Sequence, residues 1–258
     1  MKQDVKDVLR VCQVFYVLAH IIVFSLFIYL HNSSTDLKIS AAFFWLIKLI
    51  SLFLFFFAGS KPGYLSEKGL EKDFAELQES DWEVPIRHYC DTCELSQPYR
   101  TKHCDLCEQC ICKYDHHCFW LGSCIGELNH FKFTLYLTLE SISLWWATLF
   151  CFEGQSFSSQ LLYFLIGLIC VGFGFLTTGL AALHIYLISI GSTTWELTRR
   201  KSITYLAPYP YNVHPFSLSF FSNWKSAILA SQVTNWTLPR PQIIYPFNWC
   251  ENKYWSCC

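Results

Sequence analysis

The sequence predicts an all-α multi-pass membrane protein in which four transmembrane helices flank, two on either side, a cytosolic cysteine-rich domain. Three observations carry that reading. The chain is 53% hydrophobic and 18% aromatic but only 15% charged over 258 residues, a composition unlike that of an ordinary soluble domain. Its apolar residues fall into four long blocks. Nineteen of its 39 charged residues lie between Gly59 and Cys118, so the stretch between the second and third blocks is built for water.

The blocks are Val11 to Leu30, with no charge; Ala41 to Ala58, with only Lys48; Phe131 to Phe152, with Lys132 and Glu140; and Leu161 to Ile190, again with none. A helix needs roughly 20 apolar residues to cross a hydrocarbon core of about 30 Å, and a helix satisfies its own backbone there. A cleaved signal peptide is the alternative for the first block. It fits poorly, because the apolar run is too long, lacks a small-x-small cleavage site and is followed by three further spans. Buried core helices are disfavoured too, since so little polar chain remains to cover four of them.

Orientation follows from the basic residues. Lys2, Lys6 and Arg10 precede the first span and Arg199, Arg200 and Lys201 follow the fourth, whereas the loops Asn32 to Ser40 and Glu153 to Gln160 together hold one Lys and no Arg. The positive-inside bias predicts that both termini and the cysteine loop are cytosolic. The predicted domains are therefore 1–58 (N-tail and spans one and two), 59–130 (cysteine-rich domain), 131–190 (spans three and four) and 191–258 (cytosolic tail). Pro62-Gly63 marks the exit from the membrane, and Glu67 to Glu79 reads as a charged amphipathic stretch. No internal repeat is apparent. The tail carries Trp224, Trp236, Trp249 and Trp255, which suits either a membrane interface or an irregular packed segment.

Eight of the 14 cysteines and three of the nine histidines stand between Cys90 and Cys124. Cys90, Cys93, His103, Cys104, Cys107, Cys110, His117 and Cys124 make eight soft ligands, enough for two closed tetrahedral zinc sites. Cys118, His116 and Cys112 are left over. So short and polar a segment cannot bury enough apolar area to hold itself together, and its folding is expected to need the metal. A reducing cytosol keeps such thiols free of disulfides. The net charge of -1 says nothing useful about nucleic acid, but no basic patch interleaved with aromatics appears, and no nucleic-acid partner is expected.

The signature Cys90-x2-Cys93, Pro98-x-Arg100-x2-His103-Cys104-x2-Cys107-x2-Cys110-x4-Asp115-His116-His117-Cys118-x5-Cys124-Ile125-Gly126-x2-Asn129-x3-Phe133 resembles the cysteine-rich domain of the DHHC protein S-acyltransferases. Thr193-Thr194-Trp195-Glu196 resembles the Thr-Thr-x-Glu motif of that family. The resemblance covers residues 11 to 200 and implies one structural zinc on Cys90, Cys93, His103 and Cys110 and another on Cys104, Cys107, His117 and Cys124. It implies Cys118 as nucleophile, His116 as its base and Asp115 as the group orienting the imidazole. It also implies palmitoyl transfer from a fatty acyl-CoA donor to protein cysteines near the bilayer, through an acyl-Cys118 thioester, on an endomembrane such as the endoplasmic reticulum or Golgi. Arg100 and Lys102 match basic positions suited to coenzyme A phosphates.

That chemistry makes physical sense. A free cysteine thiol, with a pKa of about 8.5, is mostly protonated at cytosolic pH, so an adjacent imidazole must take its proton, and a carboxylate can fix the tautomer of the imidazole. A chain of about 16 carbons gains roughly 0.8 kcal/mol per buried methylene, a strong reason to seat it among membrane helices.

The sequence also departs from the family. Phe119 stands where Pro is usual, which is expected to loosen the turn presenting Cys118, and Gly122-Ser123 replaces Asn-Asn. Cys112 reads as a packed small hydrophobe or an acylated side site. Cys257-Cys258 are candidates for lipidation, and Asn32-Ser33-Ser34 is a sequon. Lys48 and Glu140 are costly at membrane depth unless paired. Gly167, Gly172, Gly174 and Gly179 permit close helix approach or leave room for an acyl chain. The rival functions are a non-catalytic membrane adaptor, which would tolerate loss of Cys118, and a membrane ubiquitin ligase, whose ligand order fits less well.

Overall fold

The computed structural model describes residues 11, 13–18, 20–21, 37–65, 88–152, 160–234 and 236–239. The Glu67 to Glu79 stretch, the sequon, Trp249, Trp255 and Cys257-Cys258 lie outside them, as does much of the first predicted span. Three long helices form the frame: α1 (Leu37–Ala58), α2 (His130–Phe152) and α3 (Gln160–Ser189). Their bounds lie close to those of the second, third and fourth apolar blocks. Among the described residues, α2 and α3 are long and apolar enough to cross a membrane. The 22 residues of α1 reach about 33 Å at 1.5 Å per residue, with a shorter apolar core over Phe43–Ala58.

The helices turn large apolar side chains outward, among them Phe43, Leu46, Phe53 and Phe56 of α1 and Leu161, Ile169, Phe173 and Phe175 of α3. In water that surface would be untenable, whereas lipid solvates it. Inside, α2 packs against both α1 and α3. At one end Phe44, Phe150, Ala147 and Cys170 pack together; at the other, Leu54, Phe55, Phe133, Tyr136 and Leu137 do so. The glycines divide into two groups. A Cβ on Gly167 would lie 2.8 Å from the Phe152 ring, and one on Gly174 3.2 Å from Trp145, whereas Gly172 and Gly179 face open space.

Between the two packed ends lies a buried polar knot. Glu140 of α2 is paired with Lys48 of α1 and accepts hydrogen bonds from Ser51 Oγ (2.7 Å) and from His20 Nε2 (3.1 Å), which belongs to the N-terminal helical residues. Tyr16 joins the same junction: its hydroxyl is hydrogen-bonded to that of Tyr136 at 2.9 Å and its ring stacks on Phe55. Charges this deep persist because each is met by a partner.

The all-α expectation needs correction in the cysteine-rich segment, which folds as three antiparallel hairpins: β1 (Tyr89–Cys90) with β2 (Leu95–Ser96), β3 (Lys102–Cys104) with β4 (Gln109–Ile111), and β5 (His116–Cys118) with β6 (Ser123–Ile125). The reason is local. A Cys-x2-Cys pair converges two sulfurs on one point only if the chain reverses between and just beyond them, and a reversal joining two short strands is a hairpin. A left-handed residue closes each turn: Glu94 (φ 54), Glu108 (φ 54) and Gly122 (φ 63).

These three turns also correct the expectation of no internal repeat. Cys90, Cys104 and Cys118 end the first strands of equivalent hairpins, each 14 residues after the last, and the same step relates Cys93 to Cys107, His103 to His117, and Cys110 to Cys124. Residues 62–65, leaving α1, run beside β4, with Leu65 N donating to Cys110 O and Cys112 N to Gly63 O, both at 2.9 Å. The module is thus tied directly to the end of α1.

Breaking the Glu140 knot from one side strands a buried charge. Lys48→Met and Glu140→Leu are each expected to lower stability by about 3–5 kcal/mol. The double variant is expected to recover most of that loss, read as thermal melting in detergent micelles.

Candidate functional site

The eight soft ligands fall into two quartets. His103 Nδ1 lies 3.5, 3.3 and 3.8 Å from the Sγ atoms of Cys90, Cys93 and Cys110. His117 Nδ1 lies 3.5, 3.4 and 3.5 Å from those of Cys104, Cys107 and Cys124. A tetrahedral zinc with sulfur at about 2.3 Å and nitrogen at about 2.1 Å needs S···N edges of about 3.6 Å, so both quartets fit that ion and can hold it. Each takes the Cys-x2-Cys pair of one hairpin and a His and a Cys from the next, which links the three hairpins in series. Gln97 Nε2 donates to Cys110 Sγ at 3.1 Å, the kind of outer contact that steadies a ligating thiolate.

Cys118 occupies the place in the third hairpin that Cys90 and Cys104 occupy as ligands in the first two. Leu121 stands where the second cysteine of the pair would be. The third hairpin therefore keeps one sulfur and lacks its chelating partner. That sulfur lies outside both quartets and packs with Leu54, Phe55, Ala58, Phe133, Tyr136 and Ala181, side chains from all three long helices.

His116 and Asp115 complete the arrangement. The Cys118 thiol stands close enough to the His116 ring to help raise its pKa, and His116 Nδ1 donates to Asp115 Oδ2 at 3.0 Å. Adjacent residues on a strand point to opposite faces. Cys118 and His116 alternate with His117 of the second quartet, so the strand itself puts the thiol and the His116 imidazole on one side and the quartet on the other. Asp115 is fully buried, and its Oδ1 accepts from Thr194 N at 2.8 Å. Burial alone would raise the Asp115 carboxyl, but the His116 hydrogen bond and the nearby imidazoles hold it below the usual carboxylate range. Burial would likewise lower His116; the bonds to Asp115 and Cys118 and their charges outweigh it and raise the imidazole to about 9.

Thr194 belongs to the short helix α4 (Thr194–Thr198). Thr193 caps it by accepting from Glu196 N, and Glu196 returns the bond to Thr193 N, a capping box. Glu196 also receives Arg100, with Nε and Nη2 each 2.7 Å from a carboxylate oxygen, while Nη2 also bonds Gly191 O at 2.9 Å. Arg100 is 1% exposed and lies between the rings of Phe216 and Trp236, 4.6 Å from each centroid. The reading of Arg100 as a phosphate ligand is therefore corrected: Nε and Nη2 are spent on Glu196 and Gly191, and the guanidinium faces are covered. Lys102 is half-buried over Tyr114, its ammonium bonded to His103 O at 3.2 Å.

Other expectations resolve in the same way. Cys112 is buried, and burial pushes its thiol up to about 12, which fits a packed hydrophobe and not an acylated side site. Phe119 does not loosen its turn, because Gly122 N donates to Phe119 O and Cys118 pairs with Ser123. The ring of Phe119 is exposed beside Trp120. Trp236 packs into the module, donating to Glu127 Oε1 at 3.2 Å, and Trp224 donates to Ser189 Oγ at 3.1 Å.

Sequence reasoning missed three groups. Glu127 ties the tail to the module. Asn129 bonds Ala58 O, Cys124 O and Gly126 N at once. His130 and His184 meet beside Asp115. The available signal for the last was an imidazole inside the otherwise apolar run Leu161 to Ile190.

Compared with known proteins, residues 83–201 match the DHHC palmitoyltransferase family. The chain is 36% identical over 234 residues to palmitoyltransferase ZDHHC12-A of Danio rerio, covering 80% of this chain and 86% of that protein. It is 32% identical over 203 residues to palmitoyltransferase ZDHHC12 of Homo sapiens, covering 71% and 74%.

Two outcomes test the geometry. Chelation is expected to remove two zinc ions per chain and open residues 88–129 to protease, read by metal analysis and peptide mapping. Arg100→Met, which strands Glu196, is expected to lower stability by about 3–5 kcal/mol in thermal melting.

Proposed function

The chain belongs to the DHHC palmitoyltransferase family and is a protein S-palmitoyltransferase, and on that premise we propose that Cys118 carries the acyl group from a fatty acyl-CoA to substrate cysteines. One observation supports this above all: the Cys118 sulfur is outside both quartets, shares a strand face with His116 and is packed against three apolar helices. An acyl chain on that sulfur would lie in hydrocarbon while its thioester met the aqueous donor.

The residues divide the work as follows. With Nδ1 engaged by Asp115, His116 offers Nε2 to Cys118 and takes the thiol proton. The thiolate attacks the thioester carbonyl, the bond from carbon to the coenzyme A sulfur breaks, and the imidazolium returns its proton to that leaving thiolate. The substrate cysteine then repeats the exchange on acyl-Cys118, giving up its proton to His116 and leaving Cys118 free. One thioester replaces another at each step, so little driving force is needed and positioning does most of the work. The two zinc ions would be structural, on Cys90, Cys93, His103 and Cys110 and on Cys104, Cys107, His117 and Cys124, holding the hairpins in place.

Lys102, close to the surface, would meet the phosphates of the donor. The basic residues flanking the spans support four crossings with both termini and residues 59–130 in the cytosol, the tail 191–258 lying there as well. An endomembrane, endoplasmic reticulum or Golgi, and substrates with cysteines near the bilayer complete the reading.

In cells fed an alkyne-tagged fatty acid, hydroxylamine-sensitive label on the chain is expected to vanish in Cys118→Ser and to fall about 10²–10⁴-fold in rate in His116→Ala. Label persisting on Cys118→Ser would refute the assignment. Lys102→Gln is expected to raise the KM for acyl-CoA while leaving kcat near wild type.

A further inference from the structure

The buried pair His130 and His184 is not accounted for by the mechanism above. His130 opens α2 and His184 lies near the end of α3; they are 3% and 2% exposed, and His130 Nε2 stands 3.0 Å from His184 Nδ1. His130 Nε2 is also 4.0 Å from Asp115 Oδ1. We propose that these two imidazoles are positioning residues for acyl transfer: joined by one hydrogen bond, they fix the carboxylate of Asp115 from the side opposite His116 and so set the ring that serves Cys118. The proposal rests on the reading of Cys118, His116 and Asp115 given above.

Hydrogen-bond arithmetic sets the protons. Two neutral imidazoles at 3.0 Å need one nitrogen to donate and the other to accept. Which one donates is set by the nearest charge. A buried carboxylate favours an N–H edge facing it over a lone pair, so His130 carries its proton on Nε2 and donates to His184 Nδ1, and His184 carries its own on Nε2. This tautomer order follows from the network.

Asp115 is then held on three sides, by His116 at Oδ2, Thr194 N at Oδ1 and the His130 edge beyond it. Phe133 packs between the two histidine systems, its ring 5.6 Å from that of His116 and 5.0 Å from that of His184. The His184 and His116 rings are 5.7 Å apart and tilted by 38°, a packing contact that leaves Asp115 as the polar link between them. Because His130 and His184 come from α2 and α3, the packing of those two helices is transmitted to the catalytic carboxylate.

The same three groups place one ligand atom each within 4.8 Å, so a third metal is the competing idea. The His130–His184 separation is that of a hydrogen bond, and Asp115 already accepts from two donors, which favours the imidazole pair.

Amide side chains give a crossed test in the full-length protein, using single-turnover formation of the acyl-enzyme from labelled palmitoyl-CoA. Gln places its amide nitrogen where His carries Nε2, and Asn places its oxygen where His carries Nδ1. His130→Gln and His184→Asn are expected to stay within about 3-fold of wild type. His130→Asn and His184→Gln are expected to lose about 10- to 100-fold in kcat, the scale of a misplaced catalytic group, with the KM for palmitoyl-CoA unchanged. Metal analysis should give two zinc ions per chain throughout.

Equal losses in all four variants would mean packing alone, no loss in any would mean no role, and three metal ions per wild-type chain would mean a metal site; each overturns the proposal. Should one histidine position fail to fold, the matched variants at the other still decide. Cys118→Ser run alongside separates the premise. Label surviving there refutes Cys118 as carrier and this proposal with it, whereas loss of label there with a flat histidine series refutes this proposal alone.

Discussion

Each metal quartet spans two hairpins, and that sharing is the constraint from which the rest of the site descends. A Cys-x2-Cys pair fixes only its own turn; borrowing a His and a Cys from the next hairpin fixes the relation between turns. Two such steps bring the chain from Cys90 to Cys124 with little apolar core of its own, since the buried cluster inside it is Cys104, Cys124 and Ile111, while Tyr99 packs with the tail and Leu121 with the long helices. Coordination energy substitutes for the hydrophobic burial that a segment this small lacks.

The series has to end somewhere, and it ends at Cys118, the sulfur proposed to carry the acyl group. Leu121 takes the position of a ligand, so Cys118 inherits a geometry suited to a metal with no metal to bind. This places a thiol at a defined point on a strand whose alternate residue, His117, is clamped. His116, on the same face, needs no further positioning by the backbone, only a carboxylate to hold its ring. Asp115 supplies that, and Thr194 N in turn steadies Asp115 from the far side of the fourth apolar block.

Much of this was legible before any coordinates. The three long helices follow the second to fourth apolar blocks because hydrophobic length is nearly sufficient to define a spanning helix. The eight ligands and the remaining thiol could be counted from Cys90 to Cys124 because metal chemistry restricts residue type and spacing so tightly. Lys48 and Glu140 were recognisable as partners for the same reason that they are rare: neither is stable in lipid alone. The strands were not legible, since two- and three-residue hairpins carry no hydrophobic period. The 14-residue step was hidden because only ligands and turns recur in it. Arg100 was misread because a motif position cannot reveal which way a guanidinium turns, and its partner Glu196 lies nearly a hundred residues away. His130 and His184 were invisible for a similar reason, since imidazoles 54 residues apart, with nearly two long helices between them, meet only after the helices pack.

The sandwich around Arg100 bears on how the molecule comes together. One guanidinium in a left-handed backbone position (φ 69) joins the hairpins to Glu196, and Phe216 and Trp236 from the tail shut water out of that bond. A stretch translated after every other part of this junction is thus its stopper. Until it seats, the Arg100–Glu196 bond that joins the hairpins to α4 stands open to water on that side, so a nascent chain stalled short of Trp236 would hold this junction by a solvated and therefore weaker ion pair.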